Sequence, residues 1–185
     1  TAFFSSSFTA VSSPSEPASQ FSELNKRKHG DQIRQALRSA FPSIADISIE
    51  VSRGAYMLHC EVPWIPEKVP LALISTGIQK LIAILLGISS QPKGVVLVDE
   101  LENGFYYKIL PDVWRSLLRF CEIFGVQVFA STHSRECLRA ALPTIAANEG
   151  KFRLIRMERE KNECIPRIFD GHEFAMAIQQ EVEFR

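Results

Sequence analysis

Apolar positions recur along this chain with several different periods, and each change of period marks a new element. Between 31 and 41, Ile33, Ala36, Leu37 and Ala40 fall on one helical face behind Asp31 as a cap, and Pro42 stops the helix. Segments 47–51 and 56–62 alternate apolar with polar residues around Ser52-Arg53-Gly54, which predicts an antiparallel hairpin. After a proline-rich connector over 63–70, Ile78, Leu81, Ile82, Leu85 and Leu86 repeat at helical spacing with no proline before Pro92, predicting a buried helix. The run Gly94-Val95-Val96-Leu97-Val98 is continuously apolar, as in a strand buried on both faces of a parallel sheet, and 126–130 is a second such strand. A helix over about 107–124 separates them, so strand, helix, strand recurs and predicts an α/β fold with a doubly wound parallel sheet. Segments 152–159 and 164–169, turning at Lys161-Asn162, predict a closing hairpin, and a last helix follows from Gly171. Serine, proline and alanine dominate 5–22, where Pro14 and Pro17 predict an exposed loop that adds nothing to the core.

Composition narrows the class. With 185 residues, 46% of them hydrophobic, the chain can bury a sizeable core. Its 21 lysines and arginines balance 21 aspartates and glutamates, so no net charge draws the whole chain to nucleic acid or an anionic membrane. The basic cluster Lys26-Arg27-Lys28-His29 reads either as a solvated helix end or as a local contact to backbone phosphate. Cys60, Cys121, Cys137 and Cys164 are scattered without a CxxC pair, which suits a reduced, cytoplasmic protein. The longest apolar run, 81–88, is far shorter than the ~20 residues of a membrane span, so no membrane association is expected. Trp64 and Trp114 read as packing residues. The chain opens on Thr1 and runs directly into Phe3-Phe4-Ser5, which reads as the interior of a longer protein.

Three short segments carry chemistry. Val95 to Val98 delivers Asp99 and Glu100 at the C-terminal end of a strand, where open α/β sheets bind ligands. In nucleotide hydrolysis such an Asp orients Mg²⁺ and such a Glu polarises the attacking water; the alternative is a solvated acidic turn. The second strand ends in Ser131-Thr132-His133, and a histidine at that edge can donate a hydrogen bond to a terminal phosphate, or can merely cap or pack. Upstream, Ser75-Thr76-Gly77 precedes the buried helix, leaving helix N-terminal N–H groups outward, either as a phosphate site or as an ordinary serine cap.

Taken in order, Ser75-Thr76-Gly77, Asp99-Glu100, Glu102-Asn103-Gly104-Phe105-Tyr106 and His133 resemble the ABC-type ATPase head of transporters, SMC and RecF-like DNA repair proteins and OLD-like ATPases. The wording of 98–106 and 129–137 looks most like the bacterial stand-alone OLD-like group. The resemblance implies the C-terminal half-domain of a P-loop NTPase, α/β, with a parallel doubly wound sheet and an antiparallel hairpin layer. It implies ATP and Mg²⁺ as ligands: Ser75, Thr76 and Gly77 as the signature, Asn103 and Gly104 as D-loop contacts to nucleotide, Asp99 for the metal, and Glu100 and His133 as catalytic residues. The expected organisation is a loop over 1–30 continuing from a missing N-terminal ATPase lobe, a helix and hairpin over 31–70, and the ATPase lobe proper over 71–185. No G-x-x-x-x-G-K-[ST] loop occurs in the chain, and the family places that loop ahead of the signature. The chain departs from the transporter pattern at Thr76, in place of glycine, at Ile78, in place of glutamine, and at Tyr106, in place of the usual D-loop Asp or His. A homodimer paired head to tail is the expected active form. The competing reading is a non-catalytic interaction module that docks a nuclease, a toxin or nucleic acid.

Overall fold

The computed structural model describes residues 2–5 (as backbone), 15–52, 54–160 and 163–179. Eight strands and six α-helices follow in order: β1 Ala2–Ser5, α1 Ser15–Lys26, α2 Gly30–Ala40, β2 Asp46–Ser52, β3 Ala55–Glu61, β4 Val69–Pro70, α3 Thr76–Ser90, β5 Val95–Val98, α4 Leu110–Phe124, β6 Gln127–Ala130, α5 Arg135–Ala146, β7 Arg153–Glu160, β8 Glu163–Asp170 and α6 Gly171–Gln179. They form two compact units, Thr1–His133 and Ser134–Arg185.

In the first unit β1, β5 and β6 make a parallel sheet in the order β1-β5-β6, and β2, β3 and β4 make a separate antiparallel sheet. The hairpin expected around 52–54 is present, with Asp46 opposite Glu61 and Ser52 opposite Ala55; Arg53 lies outside the described residues. The connector adds a two-residue edge strand, β4, with Val69 opposite Cys60. The buried helix is α3, which packs against α1, α2, α4, β1 and β5. Leu81, Ile82, Ile84, Leu85, Leu86 and Ile88 on it are fully buried, as a helix apolar all round requires.

Several expectations change. The loop expected over 5–22 is helical from Ser15, and Phe21, Ala18 and Leu24 on α1 join the core. Their spacing of three puts them on one face, and Pro17 sits in the first turn, where its missing N–H costs no hydrogen bond. The α2 helix begins at Gly30, with His29 in the cap position and no side-chain cap; Asp31 lies in the first turn and pairs with Arg34 at 3.1 Å. The helix expected over 107–124 starts as a 3-10 turn, Tyr107–Ile109, and becomes α-helical at Leu110, with Pro111 in its first turn. Strand β5 is not buried on both faces: Val96 and Val98 are, but Leu97 and its register partner Phe129 remain 36% and 44% exposed. An uninterrupted Val-Val-Leu-Val run reads the same whether one face or both are covered. Trp64 is 69% exposed and packs nothing, because the turn between Pro63 and Pro66 carries it outward.

In the second unit β7 and β8 form an antiparallel hairpin with Arg153 opposite Asp170, as the pattern predicts, while Lys161 and Asn162 fall outside the described residues. Helix α5 is an addition; Ser134 caps it by accepting the Cys137 N–H at 3.2 Å, and Pro143 lies within it. α6 packs against α5, β7 and β8. No helix among the described residues is long and apolar enough to cross a membrane.

Candidate functional site

The parallel register of β5 with β6, Val98 opposite Ala130, makes Asp99 and Ser131 the next pair beyond the strands. Ser131 exploits that position twice. Its Oγ donates to Asp99 Oδ1 at 2.5 Å and accepts the Glu100 N–H at 2.8 Å. One hydroxyl therefore fixes both acids at the C-terminal edge of the sheet.

Glu100 adopts φ +46°, in the left-handed region that a side chain with a Cβ enters at a cost of about 1–2 kcal/mol. The conformation is held from outside. Lys80 Nζ, one turn into α3, donates to the Glu100 carbonyl at 2.6 Å, and Asn103 Nδ2 donates to Glu100 Oε2 at 2.5 Å. A residue held in a sparsely populated conformation by surrounding bonds is a feature of functional sites. Asn103 thus reaches the carboxylate of Glu100.

The segment after the acids meets the start of α3. Ser75 occupies the cap position, exposed, and makes no capping hydrogen bond with its side chain. The serine-cap alternative is therefore not what the geometry shows, and the first-turn N–H groups have no side-chain cap. Gly77 is buried against the Gly104 carbonyl: a Cβ there would lie 2.5 Å from that oxygen. Gly104 has φ +84°, and a Cβ on it would lie 3.4 Å from Thr76 Oγ1. The close approach requires glycine at 77, where a Cβ has no room, while Gly104 supplies the positive φ that turns its carbonyl toward α3.

His133 is exposed, and its N–H donates to Glu102 Oε1 at 3.0 Å. Glu102 Oε2 is buried with no hydrogen-bond partner. Among the residues picked out from sequence, Asp99, Glu100 and Asn103 gather in one bonded cluster, Thr76 and Gly77 meet Gly104, and His133 is tied to the same loop through Glu102. Lys80, Ser131 and the carboxylate of Glu102 complete this network. Their only sequence signal is position: one turn into α3, two residues before His133, and two after Glu100.

Residues 19–138, well over half of the chain, match the family described as "AAA domain, putative AbiEii toxin, Type IV TA system". An ATP/GTP phosphatase of Helicobacter pylori is 24% identical over 129 residues, 67% of this chain and 35% of that protein, so the chain spans about a third of that relative's length. A solved structure from work on ATP-driven dimerization and DNA-stimulated activation of SMC ATPases aligns with a TM-score of 0.57 at 11% identity, covering 88% of this chain and 96% of that one. That likeness is one of fold, and it agrees with the parallel sheet whose C-terminal edge carries the acids. With a P-loop NTPase-type α/β fold and a family match over most of its first unit, the chain belongs to the AAA-domain family.

Proposed function

We propose that this chain is the C-terminal lobe of an ABC-type ATPase of the OLD-like group, working in a protein whose N-terminal lobe supplies the phosphate-gripping loop. The observation that carries the reading is the junction of Gly77 with Gly104, which joins the free start of α3 to the segment after Asp99 and Glu100. Such a junction suits an ATPase in which the signature of one subunit closes over a nucleotide held by another, and the active form is then a head-to-tail homodimer. ATP binding and hydrolysis follow from the same residues. The exposed Ser75 and Thr76, backed by the buried Gly77, offer the uncapped start and the positive end of the α3 dipole to a terminal phosphate. Asn103 orients Glu100, whose carboxylate takes the proton of the attacking water as the bond to the terminal phosphoryl group breaks. His133 donates to the departing phosphoryl oxygen. Gly104 provides the close backbone approach beside them.

Among the described residues no three His, Cys, Asp or Glu side chains cluster to cage a metal. Asp99, held by Ser131 at the exposed edge, suits an ion that takes one or two protein carboxylates and the rest of its shell from phosphates and water. When bound, Mg²⁺ supplies neutralisation of phosphate charge.

The test is Glu100→Gln in the full-length protein. The amide keeps the shape and loses the proton acceptor, so turnover falls by ~10²–10⁴ while ATP still binds. Hydrolysis at the wild-type rate would remove Glu100 from this role.

A further inference from the structure

We infer that Glu102 is the positioning residue for His133, and that its carboxylate replaces a main-chain acceptor which Glu100 has given up. The functional consequence rests on the ATPase reading; the positional claim does not.

Beyond the strands the Ser131 N–H still donates to the Val98 carbonyl at 2.9 Å, but the Ser131 carbonyl accepts the Leu101 N–H at 2.9 Å in place of the Glu100 N–H, so the ladder slips by one residue at Glu100. In an unbroken parallel ladder the next N–H on that side, at His133, donates to the carbonyl of Glu100. That carbonyl is engaged elsewhere. With φ at +46°, Glu100 turns the chain so that its carbonyl accepts Lys80 Nζ at 2.6 Å and the Asn103 N–H at 3.0 Å. The His133 N–H is left to Glu102 Oε1 at 3.0 Å.

The other carboxylate oxygen of Glu102 takes no part in that bond. Oε2 is buried and unpartnered, an arrangement that costs free energy and that a neutral acceptor would lessen. Glu102 also stands next in line to the signature contact. Its carbonyl accepts the Phe105 N–H at 3.1 Å, closing the turn that holds Gly104 against Gly77. Glu102 therefore bonds on one side to the turn behind Gly104, through its carbonyl, and on the other to the His133 main chain, through its carboxylate.

The experiment compares Glu102→Ala, Glu102→Asp and Glu102→Gln in the full-length protein, reading backbone amide exchange over 131–134 and steady-state ATP hydrolysis. Alanine removes the acceptor, aspartate keeps the charge but lacks the reach, and glutamine keeps an acceptor oxygen at the right length. Exchange at His133 is expected to rise roughly 3- to 10-fold in the alanine and aspartate variants, as loss of one hydrogen bond implies, and to return toward wild type in the glutamine variant. kcat is expected to follow the same order, with KM for ATP nearly constant, since nucleotide grip lies in the other lobe. If alanine prevents folding, the aspartate and glutamine pair decides. Wild-type exchange at 131–134 in Glu102→Asp overturns the positional claim whether or not the protein hydrolyses ATP. Raised exchange with wild-type kcat upholds the positional claim and overturns the catalytic role of His133.

Discussion

Gly77 and Gly104 touch through their backbones: a methyl group on Gly77 would stand 2.5 Å from the Gly104 carbonyl oxygen, closer than any real side chain sits. The start of α3 and the segment behind the paired acids therefore meet backbone to backbone. Gly77→Ala must push them apart. We expect a loss of about 1–3 kcal/mol in stability, the usual range for overpacking, together with a fall in the full-length protein's ATP turnover. Chemical denaturation and a steady-state assay check both. An alanine variant with wild-type stability would mean that the two segments are not in contact.

The helix at Ser15–Lys26 tests a different layer of the account, because composition alone conceals it. Phe21 on that helix is fully buried, so Phe21→Ala is expected to cost about 3–5 kcal/mol. Were 15–26 an exposed loop, the same change would be nearly neutral, within about 0.5 kcal/mol. Urea unfolding separates the two outcomes without any functional assay.

That helix also shows where sequence reading ran out. Serines and prolines mask a clear three-residue apolar spacing at Ala18, Phe21 and Leu24, and Pro17, a breaker in a helix interior, is harmless in a first turn. The hairpins of β2 with β3 and of β7 with β8 were legible because alternation and a turn signal agree locally. Helix α5 carries Pro143 within it, which interrupts the helical pattern in the sequence. In the site, Asp99, Glu100 and His133 announce themselves by standing at the ends of apolar runs. Lys80, Ser131 and Glu102 do not, since each bonds to a residue twenty to thirty-two positions away, Lys80 from the first turns of α3 and the other two across the ends of the parallel strands.

Thiol reactivity offers a pH-dependent check on packing. Burial pushes the Cys60 and Cys121 thiols up to about 11, whereas Cys164 is exposed. At pH 8 a thiol titrating near 11 is thiolate only about once in a thousand molecules, and thiolate is the reactive form. A disulfide reagent at pH 8 should modify Cys164 rapidly and leave Cys60 and Cys121 slow, their rates rising as the pH climbs toward 11 or when denaturant is added. Fast modification of Cys60 in the native protein at pH 8 would contradict the packing of β3.

The central claim is that the start of α3 acts on a nucleotide held by a second subunit. It is tested most directly by size-exclusion chromatography of full-length protein with ATP, comparing Glu100→Gln with the double variant Ser75→Arg, Glu100→Gln. Blocked hydrolysis should let Glu100→Gln accumulate as a nucleotide-bound dimer. Arginine at Ser75 places a bulky side chain at an exposed, uncapped helix start where a phosphate must approach the backbone closely. The account predicts that the double variant stays monomeric with ATP while binding it as well as Glu100→Gln does. A double variant that dimerises as readily as Glu100→Gln would show that Ser75-Thr76-Gly77 only begins a helix, and would contradict the account.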